Sequence, residues 1–281
     1  MRLHPAGTAI VLAIMAGSTP ALAQDARDTH FDGPYISGFV GLGAQGNDGN
    51  DTLGFDTNRD GSFNDTVTTA PPASANAFTS FCGGQANGPT AAAGCTKDRD
   101  RADFGARIGY DKRMSNNFVL GGLFEVSRAR SRDYVSGFSS TPASYTLDRR
   151  VDYALSLRGR AGYTPGGGAL FYVTGGGSYA KLDHGFSTSN TVNSFSEVND
   201  GKMVWGWQAG GGAEIMLTNK ISLGLEYLYN RYDDDKYHVA VGPGTAPPTN
   251  PFLLASGGTN IRPSDTRYDF HSLRATLGFR F

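Results

Sequence analysis

The stretch Ser272-Leu-Arg-Ala-Thr-Leu-Gly-Phe-Arg-Phe281, at the end of the sequence, decides the fold. Apolar residues alternate along it with polar or small ones: Leu273, Ala275, Leu277, Phe279 and Phe281 against Ser272, Arg274, Thr276, Gly278 and Arg280. Successive side chains of a β-strand point to opposite faces, so this strand has one apolar and one polar side. The pattern suits a water-soluble sheet with its apolar side inward, or a membrane barrel with that side facing lipid.

The composition favours the membrane barrel. No stretch after residue 23 approaches the roughly 20 consecutive apolar residues of a transmembrane helix. Instead the chain has 39 glycines, 13 tyrosines and 17 phenylalanines, with a mean hydropathy of −0.33. Apolar residues spread one in two are typical of a barrel, the one kind of sheet that pairs all its backbone groups inside a bilayer. With 25 basic and 26 acidic residues, the sequence does not predict a nucleic-acid partner.

The N-terminus has the features of a secretory signal peptide. Arg2 precedes an uncharged apolar core at residues 6–17, and Ala21-Leu22-Ala23 forms an A-x-A cleavage pattern. The apolar core is too short to span a bilayer. We therefore expect a signal peptide at residues 1–23 and a barrel domain at residues 24–281.

Eight segments have the alternation and the length of a spanning strand, about 9 to 11 residues. They are residues 33–44, 102–113, 118–130, 148–163, 169–183, 203–217, 221–233 and 267–281. Tight turns and long polar connections alternate between them, as expected of short periplasmic turns and long extracellular loops. The sequence thus predicts an all-β fold, an eight-stranded antiparallel transmembrane barrel.

Three segments resemble strands of the small eight-stranded outer-membrane β-barrel superfamily of Gram-negative bacteria. They begin at Gly33-Pro-Tyr-Ile, Leu170-Phe-Tyr-Val and Tyr268-Asp-Phe-His. That group includes the OmpA transmembrane domain, opacity-type adhesins and porin-like surface antigens. The resemblance implies the outer membrane as location, its lipid and lipopolysaccharide as partners, and recognition by the barrel-assembly machinery through Phe279 and Phe281.

Charged residues on the polar strand faces are expected inside the barrel, because an arginine facing lipid near the midplane costs about 2 to 4 kcal/mol. The predicted interior charges are Arg107, Glu125, Arg158, Arg160, Glu214, Glu226, Arg274 and Arg280. They allow two interpretations. One is a salt-bridged plug, since eight strands enclose just enough space for their own side chains. The other is a small, arginine-lined pore that favours anions.

The first long loop, residues 45–101, contains both cysteines. Cys82 and Cys95 are expected to form a disulfide, because an exported chain folds in an oxidising compartment.

Asp56, Asn58 and Asp60 precede Gly61 in the same loop and match the first half of an EF-hand calcium loop. The match fails at the twelfth position, where Val67 replaces the bidentate glutamate. A weak Ca²⁺ site completed by Asn64 or Asp65 is one hypothesis, and an Asx-rich turn is the other. We expect no other cofactor.

The sequence predicts a non-enzymatic outer-membrane protein. His271 and Ser272 are neighbours on a strand and point to opposite faces, so they cannot form a nucleophile–base pair. A structural or surface role in the envelope is the leading interpretation. A small porin for passive diffusion is the alternative, and an adhesin or ligand-binding protein that acts through the first loop is the third option.

Overall fold

The computed structural model describes residues 30–45, 51–98, 100–114 and 117–281, and eight of the strands within them close into an antiparallel barrel. The predicted signal peptide lies outside the described residues. The barrel strands are β1 (Gly33–Gln45), β6 (Arg101–Arg113), β7 (Phe118–Ala129), β9 (Ala143–Gly166), β10 (Ala169–Thr188), β12 (Met203–Met216), β13 (Ile221–Asp233) and β16 (Arg267–Arg280). The remaining strands are β2 (Leu53–Asp56), β3 (Phe78–Gly83), β4 (Gln85–Ala86), β5 (Cys95–Thr96), β8 (Asp133–Ser139), β11 (Ser194–Val198), β14 (His238–Gly242) and β15 (Thr259–Pro263).

The first and last barrel strands pair with each other and close the sheet. β1 pairs with β16 from Tyr35 opposite Arg280 to Gln45 opposite Phe270, and β9 pairs with both β7 and β10. Each barrel strand therefore has two neighbours, so no strand has an open edge whose backbone N–H and C=O groups would lack hydrogen-bond partners in lipid. Among the described residues, no helix is long and apolar enough to cross a membrane.

The predicted eight-stranded barrel is confirmed, and its strand bounds agree with the sequence except on one side. There β9 and β10 have 24 and 20 residues, about twice the length needed to span a bilayer. Their outer halves remain paired with each other up to Thr188 opposite Tyr145, and β8 adds to β9 there. The sheet of the barrel thus continues beyond the membrane, on the side of the long connections.

The apolar strand faces point outward, as the alternation predicts. Val40, Leu157, Val173 and Leu277 are each at least 58% exposed, a surface that only lipid can cover. Trp205, Trp207 and Phe281 also lie on the outward face near strand ends, whereas Tyr227 lies at the middle of β13 and Tyr229 two residues further out. Amphipathic rings favour this depth, the membrane–water interface.

Segments of the long connections build a β-sandwich above the barrel, which the sequence analysis did not predict. A four-stranded sheet in the order β11-β14-β15-β2 packs on the sheet formed by β3, β8 and the outer halves of β9 and β10. Phe78 lies at the centre, with ring centroids 4.5 Å from Phe55, 5.2 Å from Tyr145 and 5.7 Å from Phe252. We call this unit the outer sandwich.

Residues 234–266, one of the long polar connections, contribute two strands to the outer sandwich. β14 and β15 lie in this segment, and Val239, Val241 and Ile261 are fully buried in the core of the outer sandwich. Their alternation with polar residues is a strand pattern, but each run has only five residues and the Pro/Gly-rich stretch between them obscures it.

The predicted disulfide between Cys82 and Cys95 is present. It joins β3 to β5 and closes the short hairpin that β4 and β5 form in the first loop. The hairpin touches the rest of the outer sandwich through Ser136, whose hydroxyl accepts from Ala86 N at 3.0 Å. The disulfide thus holds one corner of the outer sandwich.

Substitution Cys82→Ser/Cys95→Ser is expected to loosen this hairpin and leave the barrel folded. Closing a loop with a sequence separation of 13 contributes about 3 kcal/mol locally. Limited proteolysis should cut the variant between residues 84 and 95 much faster than the native protein. The heat-dependent mobility shift of the barrel on SDS gels should be unchanged, and loss of that shift would show that the disulfide supports the barrel as well.

Candidate functional site

The structure places all eight predicted interior charges inside the barrel. Each is at most 8% exposed, and Glu125 and Glu226 are 0% exposed. They come from six strands whose inward residues alternate with the lipid-facing ones, so strand phase alone positions them. They form two layers that lie at different depths of the lumen.

The middle layer centres on Glu125 and Glu226. Both terminal nitrogens of Arg107 donate to Glu226 at 2.9 Å, a bidentate pair. Arg158 donates to Glu125 at 2.5 Å, and Arg274 donates to the other oxygen of Glu125 at 2.8 Å. Arg158 and Glu125 lie on the neighbouring strands β9 and β7, whereas Arg107–Glu226 and Arg274–Glu125 join strands that are not neighbours, so the layer crosses the lumen.

The second layer lies nearer the short turns. Arg160 donates to Asp111 at 2.7 Å and to Glu214 at 3.1 Å, and Arg280 bonds the same two carboxylates at 2.9 and 3.0 Å. The guanidinium of Arg160 also lies 4.8 Å from the ring centre of Tyr35. The layer is a closed square of two cations and two anions.

Two members of the network, Asp103 and Asp111, were missed by the sequence analysis. Both are 0% exposed, and Asp103 accepts from Arg274 Nε at 2.6 Å. The sequence pattern could have identified them, because their side chains point to the same face of β6 as that of Arg107. With them, the predicted excess of five arginines over three glutamates becomes five against five. The middle layer has three of each sign and the second layer two of each, so the interior carries no surplus of positive charge.

Apolar and aromatic side chains close the lumen on both sides of the charges. Towards the outside lies a cluster that includes Leu182, Tyr232 and Phe270, and towards the short turns lies one that includes Phe31 and Leu170. The inward glycines of β12 lie against aromatic side chains. A methyl group at Gly206 would lie 2.4 Å from the Tyr232 ring, and one at Gly212 would lie 2.8 Å from the Tyr172 hydroxyl. The rings occupy that space.

A further charged cluster joins the barrel to the outer sandwich. Arg149 donates to Asp133 at 2.7 Å and to the backbone oxygens of Asp265 and Arg267 at 3.1 Å. His184 lies between Asp200 and Asp234, with ring nitrogens 3.3 and 3.0 Å from their carboxylates. These contacts bring together segments far apart in the sequence, which is why the alternation of single strands did not reveal them.

The predicted calcium residues form a turn that their own hydrogen bonds hold. The Asp56 carboxylate accepts from Asp60 N at 3.0 Å and from Gly61 N at 3.1 Å, and Asp65 accepts from Thr57 N at 2.8 Å. Asn58 Nδ2 donates to Asp60 at 3.1 Å. Asn64 is exposed beside them. This arrangement is an Asx-rich turn, and calcium binding there stays a prediction.

The remaining predicted residues lie on the outer wall. Phe279 and Phe281 are 41% and 72% exposed, with ring centroids 5.2 Å apart. His271 also lies on this side, 2.7 Å from the Tyr227 hydroxyl, whereas Ser272 is buried in the lumen. The two are therefore on opposite faces, as the sequence analysis expected.

Known proteins resemble this chain in sequence and in structure. Residues 9–281 match the model of the outer membrane protein beta-barrel domain family. The 31 kDa outer-membrane immunogenic protein of Brucella melitensis biotype 1 is 27% identical over 186 residues, 63% of this chain and 65% of that protein. The 25 kDa outer-membrane immunogenic protein of Brucella abortus biovar 1 is 29% identical over 48% of this chain and 49% of that protein. The chain thus matches less than two thirds of the length of these relatives. The crystal structure of the outer membrane protein OprG from Pseudomonas aeruginosa aligns with 90% of this chain and 97% of its own, at 11% identity and a TM-score of 0.47.

Substitution Glu226→Gln is expected to destabilise the barrel strongly. It would remove the bidentate partner of Arg107 and leave the middle layer with three arginines against two carboxylates, and breaking a buried ion pair from one side typically costs about 3 to 5 kcal/mol. Urea unfolding in lipid vesicles, followed by tryptophan fluorescence, measures the loss. Asp32→Asn is the control, because it removes an exposed pair with Lys112 that is worth at most about 1 kcal/mol. Equal stability of both variants would contradict a role of the network in folding.

Asp51, beside the outer sandwich, is expected to titrate at about pH 6. Burial, and next to it the negative charge of the nearby Asp133 carboxylate, raise the pKa of Asp51 from 3.8 to about 6. The folded protein then holds this proton more tightly than the unfolded chain. The protonated Asp51 carboxyl therefore stabilises the folded protein fully below pH 3.8, and this contribution to the free energy of unfolding is lost as the pH rises through about 6. A ¹³C NMR titration of the side-chain carboxyl carbon, assigned with Asp51→Asn, measures this directly. A midpoint near pH 4 would contradict the burial argument.

Proposed function

We infer the function from one premise: this chain belongs to the outer membrane protein β-barrel domain family. It is therefore a protein of the Gram-negative outer membrane. We propose that its barrel is a sealed, non-enzymatic anchor and that its outer sandwich is the working part, a folded surface held outside the cell. The proposed role is structural or adhesive, and it requires no passage through the lumen.

The observation that carries the proposal is the charge balance of the lumen. Five arginines meet five carboxylates there, and pairs such as Arg107–Glu226 and Arg274–Glu125 cross the lumen. An eight-stranded barrel has just enough interior space for its own side chains. An ion on its way through would have to separate ion pairs that are buried from solvent, such as Arg158–Glu125, whose side chains are both 0% exposed. This supports the plug over the anion-favouring pore.

The outer sandwich is supported as the working part by its packed core and its position. Phe55, Phe78 and Val241 are buried in it, so it keeps a defined shape rather than a set of independent loops. The names of the Brucella relatives describe outer-membrane immunogenic proteins, and the outer sandwich is the part of this chain that an antibody would meet first. We propose it as the surface for an extracellular partner.

Two further partners follow from the family. We propose that the lipid-facing wall is surrounded by outer-membrane lipid and lipopolysaccharide. We also propose that the barrel-assembly machinery recognises β16 through Phe279 and Phe281, whose exposed rings form an apolar end to that strand.

The refolded protein is expected to be electrically silent in planar bilayers. Arg158→Ala/Arg160→Ala removes one arginine from each layer and leaves two carboxylates in excess, so steps that this variant opens are expected to favour cations. Single-channel recording of both proteins tests this, with a porin refolded by the same protocol as a positive control for insertion.

The alternative function, passive diffusion of small solutes, predicts that the native protein conducts in planar bilayers. Reproducible steps from the native protein, with an anion preference that Arg158→Ala/Arg160→Ala abolishes, would establish a pore and refute the sealed anchor. The heat-dependent mobility shift on gels must first show that both proteins are folded.

A further inference from the structure

Five arginines form a groove on the outer wall of the barrel, which we call the arginine rim. Its members are Arg101, Arg128, Arg130, Arg132 and Arg150. The groove has a volume of about 330 Å³, and its other lining residues are Ala129 and Val151. The groove belongs to the wall of β6, β7 and β9, and these arginines are separate from those of the lumen.

The arginine rim lies directly above the lipid-facing belt. On β7 the outward residues are Phe124, Val126 and then Arg128, and Arg130 continues the same phase beyond the strand. The guanidinium of Arg130 lies 5.7 Å from the ring centre of Phe104, which is an outward residue of β6. The groove therefore begins where the apolar belt ends, on the side of the long connections. Lipid headgroups of the outer leaflet lie at this depth.

The positive charge of the arginine rim is only partly neutralised. Arg128 pairs with Asp152 at 2.7 Å, Arg132 pairs with Asp148 at 2.5 Å, and Arg150 pairs with Asp183. Within the part of the chain that the structure describes, Arg101 and Arg130 have no carboxylate within ion-pair distance. The whole chain has 25 basic and 26 acidic residues, so this excess is local.

A second cavity extends the groove up to the outer sandwich. It has a volume of about 220 Å³ and shares Arg101 and Arg132 with the arginine rim. Its other lining residues are Gln85, Thr96, Lys97 and Tyr134. Thr96 and Lys97 follow the disulfide-bonded Cys95, which fixes this wall. Amide, hydroxyl and ammonium groups above a cluster of guanidinium groups present donors for a ligand that is both phosphorylated and rich in hydroxyls.

We propose that the arginine rim binds the phosphorylated headgroup of a glycolipid of the outer leaflet. The planar guanidinium fork matches phosphate oxygens in a bidentate way, and Arg101 and Arg130 have the free charge to do so. The sugar part of the headgroup then occupies the upper cavity, and its acyl chains lie along the apolar wall below. The proposal deepens the lipopolysaccharide partnership of the proposed function. It rests on the outer-membrane location and is independent of whether the lumen conducts.

The test is a lipid-binding titration of the full-length protein, refolded in a phosphate-free non-ionic detergent and analysed by native mass spectrometry. The probe is bisphosphorylated lipid A. Arg101→Gln/Arg130→Gln is expected to weaken its binding by about 30-fold. Arg101→Lys/Arg130→Lys, which keeps the charge and removes the fork, is expected to lose less.

Arg231→Gln/Arg267→Gln is the matched control, because these residues lie near the outer ends of β13 and β16 across the barrel. It is expected to bind like the native protein.

Lipid A without phosphates is expected to bind the native protein and Arg101→Gln/Arg130→Gln equally weakly. The proposal fails if Arg101→Gln/Arg130→Gln keeps native affinity, if the control loses as much, or if the loss is the same for lipid without phosphates. Displacement of lipid A by micromolar inorganic phosphate would identify a soluble-phosphate site instead. All variants are compared after the mobility shift shows that they are folded, and the conductance recordings report on the sealed lumen separately.

Discussion

The structure depends on one constraint: every charge that the strands turn away from lipid must find a partner in a narrow lumen. Strand alternation sends Arg107 and Glu226 inward on β6 and β13, and the small diameter brings them together. Asp103 and Asp111 complete the balance, so each layer is neutral without contribution from outside. In the sealed anchor that we propose, the lumen is closed by its own electrostatics, because opening it would leave charges buried and unpaired. That proposed closure would be tied to folding itself and would need no separate gate.

The same sheet that forms the barrel also supports the outer sandwich. β9 and β10 leave the membrane still paired, and their outer halves supply Tyr145 and Leu147 to a second core. Arg149 and His184 then bond residues of β8, β16 and the connections around the junction. The outer sandwich is consequently not a set of loops on flexible ends. It continues the rigid part of the molecule, and a surface of fixed shape is what specific recognition at the cell exterior requires.

Local patterns predicted the barrel well because each strand carries its own evidence. A period of two can be read within one segment, and the bounds of β13 agree with the structure at both ends. The inward phase likewise identified the interior arginines and glutamates, and applying it to the aspartates would also have found Asp103 and Asp111. The outer sandwich escaped prediction for a physical reason. Its second sheet consists of runs of four or five residues drawn from three different connections, and their common core exists only after folding. The calcium turn was ambiguous for a related reason, since Asx side chains suit both backbone bonding and cation binding.

Arginine has three different roles in this chain, and the place of each arginine in the fold decides which role it has. In the lumen, Arg158 is 1% exposed and pairs with Glu125, so its charge serves cohesion. At the junction, Arg149 bonds backbone oxygens as well as Asp133, so it fixes one segment against another. On the outer wall, Arg101 and Arg130 lie beyond the reach of the carboxylates that neutralise their neighbours. Residue type alone cannot separate these cases. The alternation of inward and outward residues tells whether an arginine lies in the lumen or on the outer wall. Its position along the strand tells whether it lies at the depth of the lipid chains or of the headgroups. The two arginines at headgroup depth that have no carboxylate within ion-pair distance among the described residues are the ones for which we propose lipid phosphate as the partner.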